Sequence, residues 1–197
     1  MEHQTNFLSH ETGRRFLFIL GSSRRNGNTE LLAKMASEKL LPGIPKRWLQ
    51  LQDLTLPPFT DIRHDSAAEI HMVSANEQVL LDETLSATDL VVASPLYWYT
   101  VSASTKLYLD YWTYWLRLPE ADFKARMRGK TLWGVCTLSD EDLEKQSKPL
   151  VETLRMTAEY MGMKWGGVLL GYANRPGDIA NDKDSLSRAE TFFEAVK

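Results

Sequence analysis

The sequence predicts a doubly wound α/β fold in which five parallel strands, in the order 2-1-3-4-5, carry helices on both faces. Five short runs rich in β-branched, aromatic or leucine residues recur along the chain, and stretches with helical periodicity separate them. The first and third runs are continuously apolar, which is typical of strands covered on both faces. Strands that alternate with helices across short turns favour a parallel sheet with right-handed crossovers.

Each apolar run is assigned to a strand and each periodic stretch to a helix. The predicted strands are RFLFIL, RWLQLQ, DLVVASP, TLWGVCTL and KWGGVLLGYA, at residues 15–20, 47–52, 89–95, 131–138 and 164–173. The predicted helices cover residues 28–41, 67–87, 102–118, 143–162 and 183–196. The Pro-rich stretch at 54–65 is predicted to be a long surface loop. Sheets of this class bind ligands at the carboxyl ends of their strands, beside the switch point between strands one and three.

Composition indicates one globular domain at residues 14–197. The chain has 197 residues and a net charge of −3, which disfavours a general nucleic-acid-binding protein. A single cysteine, Cys136, excludes an intrachain disulfide, and no apolar run approaches the roughly 18 residues that span a bilayer. Residues 1–13 are polar, lack the features of a signal peptide and are predicted to be a flexible extension, either disordered or packed on a partner. We expect a cytoplasmic enzyme or binding protein.

The stretch GSSRRNGNTE, residues 21–30, follows the first strand and opens the first helix. Gly21 ends the strand, Gly27 allows a turn, and Asn28 or Thr29 can start the helix. Small hydroxyl and amide side chains, among them that of Ser22, join the backbone N–H groups of the helix start, where the dipole favours an anion. Arg24 and Arg25 can add positive charge. The loop predicts a phosphate site, and a plain capped helix start is the alternative.

Two nucleotide signatures are excluded in this loop. A Walker A loop requires a lysine where Asn28 stands, and a dinucleotide fingerprint requires a glycine where Ser23 stands. Without the lysine, the charge on a terminal phosphate is not compensated, which argues against an ATPase or GTPase. A mononucleotide phosphate is the remaining ligand.

The loop after the third strand carries three consecutive aromatic residues, Tyr97, Trp98 and Tyr99. A buried element does not place three bulky rings on successive positions, whereas a flat conjugated ligand would use such a loop as a wall. The alternative is that the rings fold back on the core.

The helix at 102–118 is also rich in aromatic residues, on two neighbouring stripes. Tyr108, Trp112 and Trp115 form one stripe, which is assigned to the core. Tyr111 and Tyr114 form the other, which would be an exposed patch unless something covers it. Homodimerisation through this helix is one cover. A thick intramolecular core is the other.

The two loops together resemble the flavodoxin-like family of NAD(P)H-dependent FMN reductases and quinone reductases. The matching stretches are GSSRRNGNT and SPLYWYTVSASTKLYLD, the second with Lys106 and Asp110 at the family's helical positions, and the tail at 175–192 is similar to the family's C-terminal turn and helix. The resemblance covers most of residues 15–195 and implies a flavodoxin-like fold, bound FMN, NAD(P)H as co-substrate and a flat acceptor such as a quinone. An electron carrier without a substrate site and a flavin-less relative are the alternatives.

The resemblance also implies which residues bind the cofactor. For the FMN phosphate they are Ser22, Arg24, Gly27, Asn28 and Thr29. For the flavin ring they are Pro95, Leu96, Tyr97 and Trp98 after strand three and Thr137, Leu138 and Ser139 after strand four. Trp98 and Tyr99 would form the substrate slot. The loop after strand four departs from the family, because it has no glycine and carries Asp140, Glu141 and Asp142, whose charge would oppose that of reduced flavin.

No catalytic side chain and no metal site are predicted, because the flavin carries the chemistry. Cys136 is interpreted as an inert strand thiol, since a phosphatase loop would need an arginine where Asp142 stands. The four histidines lack metal-ligand spacing, and His64 and His71 are interpreted as solvated residues. The acidic run at 140–144 is interpreted as a helix cap.

Overall fold

The computed structural model describes residues 13–62 and 71–194 of the chain. The strands are β1 Phe16–Leu20, β2 Lys46–Gln50, β3 Asp89–Ala93, β4 Thr131–Leu138 and β5 Lys164–Tyr172. The helices are α1 Asn28–Ser37, α2 Ala75–Ser86, α3 Ala103–Trp115, α4 Phe123–Met127, α5 Leu143–Tyr160 and α6 Lys183–Ala189, with 3₁₀ turns at Pro119–Ala121, Asp178–Asn181 and Phe192–Glu194. The predicted extension, apart from Gly13, and the predicted helical start at 67–70 lie outside the described residues.

The five strands form one parallel sheet in the order β2-β1-β3-β4-β5, which confirms the predicted flavodoxin-like topology. Each predicted strand is found within two residues of its expected bounds. The helix predicted from residue 67 was placed too early where the chain is described, because α2 begins after Ser74, whose side chain forms a capping box with Glu77. No helix in the described part of the chain is long and apolar enough to cross a membrane.

Hydrophobic clusters lie on both faces of the sheet, as predicted for a doubly wound fold. Side chains of β3 alternate between them, with Leu90 and Val92 in the cluster of α3 and α5, and Val91 and Ala93 in the cluster of α1. All of β3 is therefore buried, which explains why its sequence is apolar without alternation. The carboxyl edge of this sheet carries the loops described below.

Tyr111 and Tyr114 of α3 are buried by the protein itself. Their exposed fractions are 2% and 8%. The Tyr111 hydroxyl donates to the carbonyl of Pro57 at 2.9 Å, the Tyr114 hydroxyl bonds to the backbone of Thr60, and the Phe59 ring lies 4.8 Å from that of Tyr114. Of the two covers considered for this stripe, the thick intramolecular core is therefore the one found. Homodimerisation stays a prediction, without the stripe that motivated it.

The segment at 54–62 packs over Tyr111 and Tyr114, although its composition predicted a surface loop. Its apolar side chains Leu54, Leu56, Phe59 and Ile62 are partly buried against the core. Proline and polar residues in this stretch suggested a solvated loop, but the apolar positions between them pack inward. The segment therefore extends the core over the outer stripe of α3.

His71 and Glu77 form a buried polar contact beneath the same aromatic residues. Both carboxylate oxygens of Glu77, a residue only 1% exposed, lie 2.8 Å from the His71 Nε2. The indole N–H of Trp115 donates to the same carboxylate at 2.9 Å, and the His71 ring stacks on Tyr114 at 3.8 Å. The interpretation of His71 as a solvated residue is wrong, because this carboxylate holds its ring. His64 lies outside the described residues.

Cys136 is fully buried in β4, and burial raises the pKa of its thiol to about 12. Because the thiolate is the reactive form, we expect Cys136 to resist iodoacetamide at pH 9 in the folded protein and to react in denaturant. Above the unfolded pKa of 9.0, only the unfolded chain loses this proton, so the free energy of unfolding falls as pH rises from 9.0 towards 12. Mass spectrometry of the alkylated protein measures the labelling of Cys136, and rapid labelling of the native state would contradict the prediction.

Candidate cofactor site

Four loops meet at the carboxyl edge of the sheet, because backbone hydrogen bonds extend the strand pairing beyond the strand ends. The N–H of Gly21 donates to the carbonyl of Ala93 at 2.9 Å, which holds the loop after β1 beside the end of β3. The N–H of Leu96 donates to Thr137 at 3.1 Å, and the N–H of Ala173 donates to Leu138 at 2.8 Å. The loops after β1, β3, β4 and β5 therefore lie side by side.

The loop after β1 ends in a helix start that carries no side-chain cap. Gly27 is the N-cap of α1, and no side chain in the described part of the chain is seen to accept from the first turn. The first N–H groups of a helix have no partner inside the helix, and the dipole makes this end positive. Ser22 shapes the preceding turn, since its hydroxyl accepts from the N–H of Arg24 at 3.1 Å. The start of α1 thus leaves backbone N–H groups available to an anion, and the phosphate site stays a prediction.

The charges around this loop are partly neutralised. Arg25 is paired with Asp53 at 2.6 Å, whereas the guanidinium of Arg24 is exposed and has no partner among residues 13–62 and 71–194. The carboxylate of Glu30 accepts from the N–H of Asn26 at 2.6 Å and is itself paired with Lys34 at 2.6 Å. An arriving phosphate would therefore meet one free positive charge from Arg24 and one neutralised carboxylate.

The side chains of Asn28 and Thr29 turn away from the helix start. The Thr29 hydroxyl lies 2.5 Å from that of Thr137, in a buried contact that joins the loop after β1 to β4. The Asn28 side chain instead bonds to the loop after β5. Both residues still carry their backbone N–H groups in the first turn of α1. Any role in phosphate binding therefore falls on their backbones.

The three aromatic residues after β3 form an exposed turn. Tyr97 and Thr100 exchange two backbone hydrogen bonds, at 3.0 and 3.1 Å, and close the turn around Trp98 and Tyr99. These two residues have φ values of +48° and +66°, a left-handed conformation that non-glycine residues rarely adopt. Trp98 is 92% exposed and Tyr99 is 54% exposed. The rings do not fold back on the core, so that alternative is wrong, and the wall for a flat ligand stays a prediction.

A cleft of about 240 Å³ lies between this aromatic turn and the loop after β4. Its lining residues are Leu96, Trp98, Tyr99, Leu138, Ser139, Asp140 and Gln146. Aromatic and apolar side chains form one wall, and the start of α5 forms the other. The loop after β4 thus reaches the cleft although it has no glycine.

Two acidic residues of that loop accept hydrogen bonds at the start of α5. The Asp142 carboxylate accepts from the N–H of Lys145 at 3.2 Å and caps the helix, as predicted. The Asp140 carboxylate accepts from the N–H of Asp142 at 2.9 Å and from the Gln146 amide at 3.4 Å. These hydrogen bonds hold both carboxylates in place at the rim of the cleft and leave them charged.

The arrangement fits a flat ligand that carries a phosphate. The phosphate donors follow β1, and the cleft lies between the loops after β3 and β4, which are the next two strands in the sheet. Neighbouring strands are about 4.8 Å apart, so a ligand of nucleotide length reaches from the donors to the cleft. The described residues contain no group of three or more His, Cys, Asp or Glu that could hold a metal ion.

Comparison with known proteins decides the family. The model of the NADPH-dependent FMN reductase family matches residues 14–164, which include β1 to β4, the loop after β1 and the aromatic turn. The chain belongs to this family. The family consists of FMN-dependent NAD(P)H oxidoreductases, and the fold and loop arrangement of the chain agree with that membership.

Two proteins of Bacillus subtilis are similar to this chain. The protein of strain 168 named "Putative NAD(P)H-dependent FMN-containing oxidoreductase YwqN" is 33% identical over 177 residues, which are 89% of this chain and 94% of that protein. The solved structure of the Trp repressor binding protein has 29% identity and a TM-score of 0.71, over 90% of this chain and 96% of that one.

A third similarity concerns the fold alone. The apo form of an NADH:FMN oxidoreductase, EMOB, has 21% identity and a TM-score of 0.66, over 92% of this chain and 87% of that one. The two proteins therefore share a fold over nearly the whole of this chain.

Sequence reasoning predicted the strand order that brings these loops together but missed three of their side-chain contacts. The pairing of Thr29 with Thr137, the carboxylate of Glu30 on the turn, and the contacts of Asn28 all join residues through space. The first and third join positions more than 100 residues apart, for which a single sequence carries no signal. Lys106 and Asp110 form an exposed i,i+4 ion pair at 2.5 Å on α3.

Proposed function

We propose that the chain is an FMN-dependent NAD(P)H oxidoreductase that passes electrons to a flat acceptor such as a quinone. The observation that carries the proposal is the pairing, at one edge of the sheet, of an uncapped helix start with a cleft walled by exposed aromatic rings. Family membership supplies the cofactor class. The acceptor, the choice between NADH and NADPH, a cytoplasmic location and a homodimer are parts of the proposal.

The phosphate of FMN would be held at the start of α1. The backbone N–H groups of Gly27, Asn28 and Thr29 donate to the phosphate oxygens, and Arg24 adds charge. Ser22 keeps the turn in shape through its bond to the Arg24 N–H. The phosphate end thus fixes the position of the ligand along the sheet edge.

The flavin ring would lie in the cleft. Of the residues expected to contact the ring, Leu96 and Trp98 line the cleft from the loop after β3, and Leu138 and Ser139 line it from the end of β4. Pro95, Tyr97 and Thr137 do not line the cleft, and their contact with the ring is part of the proposal. Thr137 and Leu138 are buried, so they contribute mainly backbone, whereas Ser139 is exposed. Trp98 and Tyr99 limit the space above the ring to flat molecules and exclude water from it. These rings form the proposed substrate slot.

The chemistry that bound FMN supplies is the uptake of a hydride from NAD(P)H and the transfer of two electrons to an acceptor. The protein's part is binding and orientation, and none of its side chains has to act as a nucleophile. The nicotinamide and the acceptor would occupy the slot in turn, which predicts ping-pong kinetics. Steady-state lines that intersect rather than run parallel would count against this scheme.

Anaerobic titration of the FMN-loaded protein with NADH and with NADPH tests the proposed function. We expect the visible absorption of the flavin to bleach and to return when a quinone is added. Protein that binds FMN but is not bleached would indicate an electron carrier instead. Protein that takes up no FMN would indicate a flavin-less relative and would refute the proposal.

Replacing Trp98 with asparagine and Tyr99 with glycine is expected to stabilise the free protein and to weaken FMN binding. The left-handed conformation costs roughly 1–2 kcal/mol per non-glycine residue, and the Asn-Gly pair is the preferred sequence for such a turn. Because Trp98 is 92% exposed, its removal sacrifices little packing in the free protein. We expect the free energy of unfolding to rise by about 1–2 kcal/mol and the FMN affinity to fall about tenfold as stacking is lost.

Denaturant unfolding and FMN titration measure these two effects. The matched control is Tyr160→Asn, which removes another exposed aromatic ring outside the turn and should leave FMN affinity unchanged. A double variant that is less stable than the parent, or that binds FMN equally well, would contradict the role given to the turn.

A further inference from the structure

The loop after β5 is attached to the start of α1 through one side chain, that of Asn28. Its Nδ2 donates to the carbonyl of Arg175 at 2.8 Å, and its Oδ1 accepts from the N–H of Gly177 at 2.9 Å and of Ile179 at 3.5 Å. These bonds join residues 147 to 151 positions apart in the sequence. Asn28 occupies the first position of α1, so the loop is held directly beside the proposed phosphate donors.

The backbone of this loop is also fixed from within. The Asp178 carboxylate accepts from the N–H of Arg175 at 2.6 Å and from that of Asn174 at 3.3 Å. Gly177 adopts a φ of +89°, which only glycine adopts at little cost. The guanidinium of Arg175, by contrast, is exposed and has no partner in the described part of the chain. A free positive charge is therefore carried on a fixed backbone beside α1.

The positive charge available near the start of α1 is smaller than the negative charge of a phosphate, so Arg175 can contribute to phosphate binding. Glu30 and Asp178 both carry carboxylates here, and Lys34 pairs with the first. A phosphate monoester carries between one and two negative charges at neutral pH, by analogy with phosphorylated side chains. Arg24 alone gives one uncompensated positive charge from the loop after β1. A second guanidinium, from the loop after β5, would bring two positive charges to the ligand and would also offset the charge of Asp178, whose carboxylate accepts from backbone N–H groups.

We propose that Arg175 contributes to binding the phosphate of FMN, and that Asn28 is the positioning residue that brings it there. The inference rests on the proposed function, because it takes FMN as the ligand. The side chain of Asn28 was expected to contact the phosphate. In this proposal it instead holds the loop that carries Arg175. Arg175 then favours FMN over riboflavin, which has the same ring and no phosphate.

The ratio of FMN affinity to riboflavin affinity tests this assignment. One unit charge at contact distance in water is worth about fivefold in affinity, so Arg175→Gln should lower the ratio about fivefold and leave riboflavin binding unchanged. Arg175→Lys should retain most of the ratio. The matched control is Arg117→Gln, an exposed arginine just beyond the C-terminal end of α3, which should change neither affinity. Arg175 is exposed, so its variants should fold normally.

The positioning role of Asn28 is tested with a double-mutant cycle. Asn28→Ala should lower the affinity ratio by about as much as Arg175→Gln, and the double variant should show little further loss. Hydrogen exchange of the amides at 174–181 should accelerate in Asn28→Ala and stay slow in Arg175→Gln. Additive effects on the ratio would overturn the coupling between the two residues.

The remaining outcomes separate this inference from the proposed function. Parent protein that binds no FMN refutes the proposed function. Parent protein that binds FMN with a ratio insensitive to Arg175→Gln refutes only the inference. A variant that weakens FMN and riboflavin equally, or that affects only NADPH binding, also refutes the inference.

Discussion

Replacing Gly27 with aspartate is expected to weaken FMN binding at least a hundredfold while the protein stays folded. Gly27 is the uncapped N-cap of α1, and an aspartate there accepts hydrogen bonds from the first turn of the helix. Its carboxylate would occupy the donors proposed for the phosphate and repel the phosphate charge. Two lost charge-assisted hydrogen bonds, at about 1.5–3 kcal/mol each, correspond to a hundredfold or more.

Equilibrium titration with FMN and denaturant unfolding measure the two sides of this prediction. The control is Gly27→Ala, which adds a Cβ at 3.3 Å from the Arg24 carbonyl and 3.6 Å from the Ser22 hydroxyl but brings no charge. The alanine variant should bind FMN within a few-fold of the parent. If Gly27→Asp binds FMN as tightly as Gly27→Ala, the phosphate does not lie at the start of α1.

Replacing Glu77 with alanine is expected to cause the largest loss of stability among single substitutions considered for this fold. Glu77 is 1% exposed, and it accepts from the Trp115 indole at 2.9 Å, contacts His71 at 2.8 Å and closes the cap of α2 with Ser74. Truncation leaves buried polar groups without partners. We expect the free energy of unfolding to fall by about 3 kcal/mol and the melting temperature by about 6–12 °C.

Glu77→Gln serves as the graded variant, since its amide oxygen can still accept from Trp115, and it should lose less stability than Glu77→Ala. Asp82→Ala, on the exposed face of the same helix, should change the free energy of unfolding by less than about 0.5 kcal/mol. Calorimetry of the three variants measures this order. A Glu77→Ala protein as stable as Asp82→Ala would show that the buried carboxylate is not structurally important.

The sheet could be predicted because its strands are specified locally. The run at 89–95 has four consecutive apolar residues, Leu90 to Ala93, since both faces of β3 are buried, and Pro95 follows two residues after the end of the strand. Helix ends were harder to predict, because the position of a capping residue determines where a helix begins. Helical periodicity suggested a start at residue 67, whereas Ser74 and Glu77 fix the start of α2 at Ala75.

The aromatic helix shows where local reasoning fails. The pattern of α3 correctly assigned Tyr108 to the core, but it left Tyr111 and Tyr114 without a cover. The cover is an irregular segment, held by bonds from both tyrosine hydroxyls to backbone carbonyls 54 residues away. Such a contact has no periodicity, so composition assigned the segment to the solvent-exposed surface. A partner subunit was then one of the two covers considered for the two tyrosines.

The candidate site was predicted at the level of loops and not of side chains. Gly27 and the aromatic turn are recognisable because a helix start and consecutive aromatic residues are local features. Asn28 was expected to contact phosphate with its side chain, whereas its amide bonds to the loop after β5. That partner could not be foreseen, since it depends on which loops the strand order brings together.

The most direct test of the account is the amide ¹H–¹⁵N NMR spectrum of the protein during titration with FMN. We predict saturation at one FMN per chain, with the largest changes at the amides of residues 27–30 and 97–100. Amides at the amino edge of the sheet, such as that of Asp89, should stay in place. No change with FMN, or changes confined to other surfaces, would contradict a flavin seated between the start of α1 and the aromatic turn.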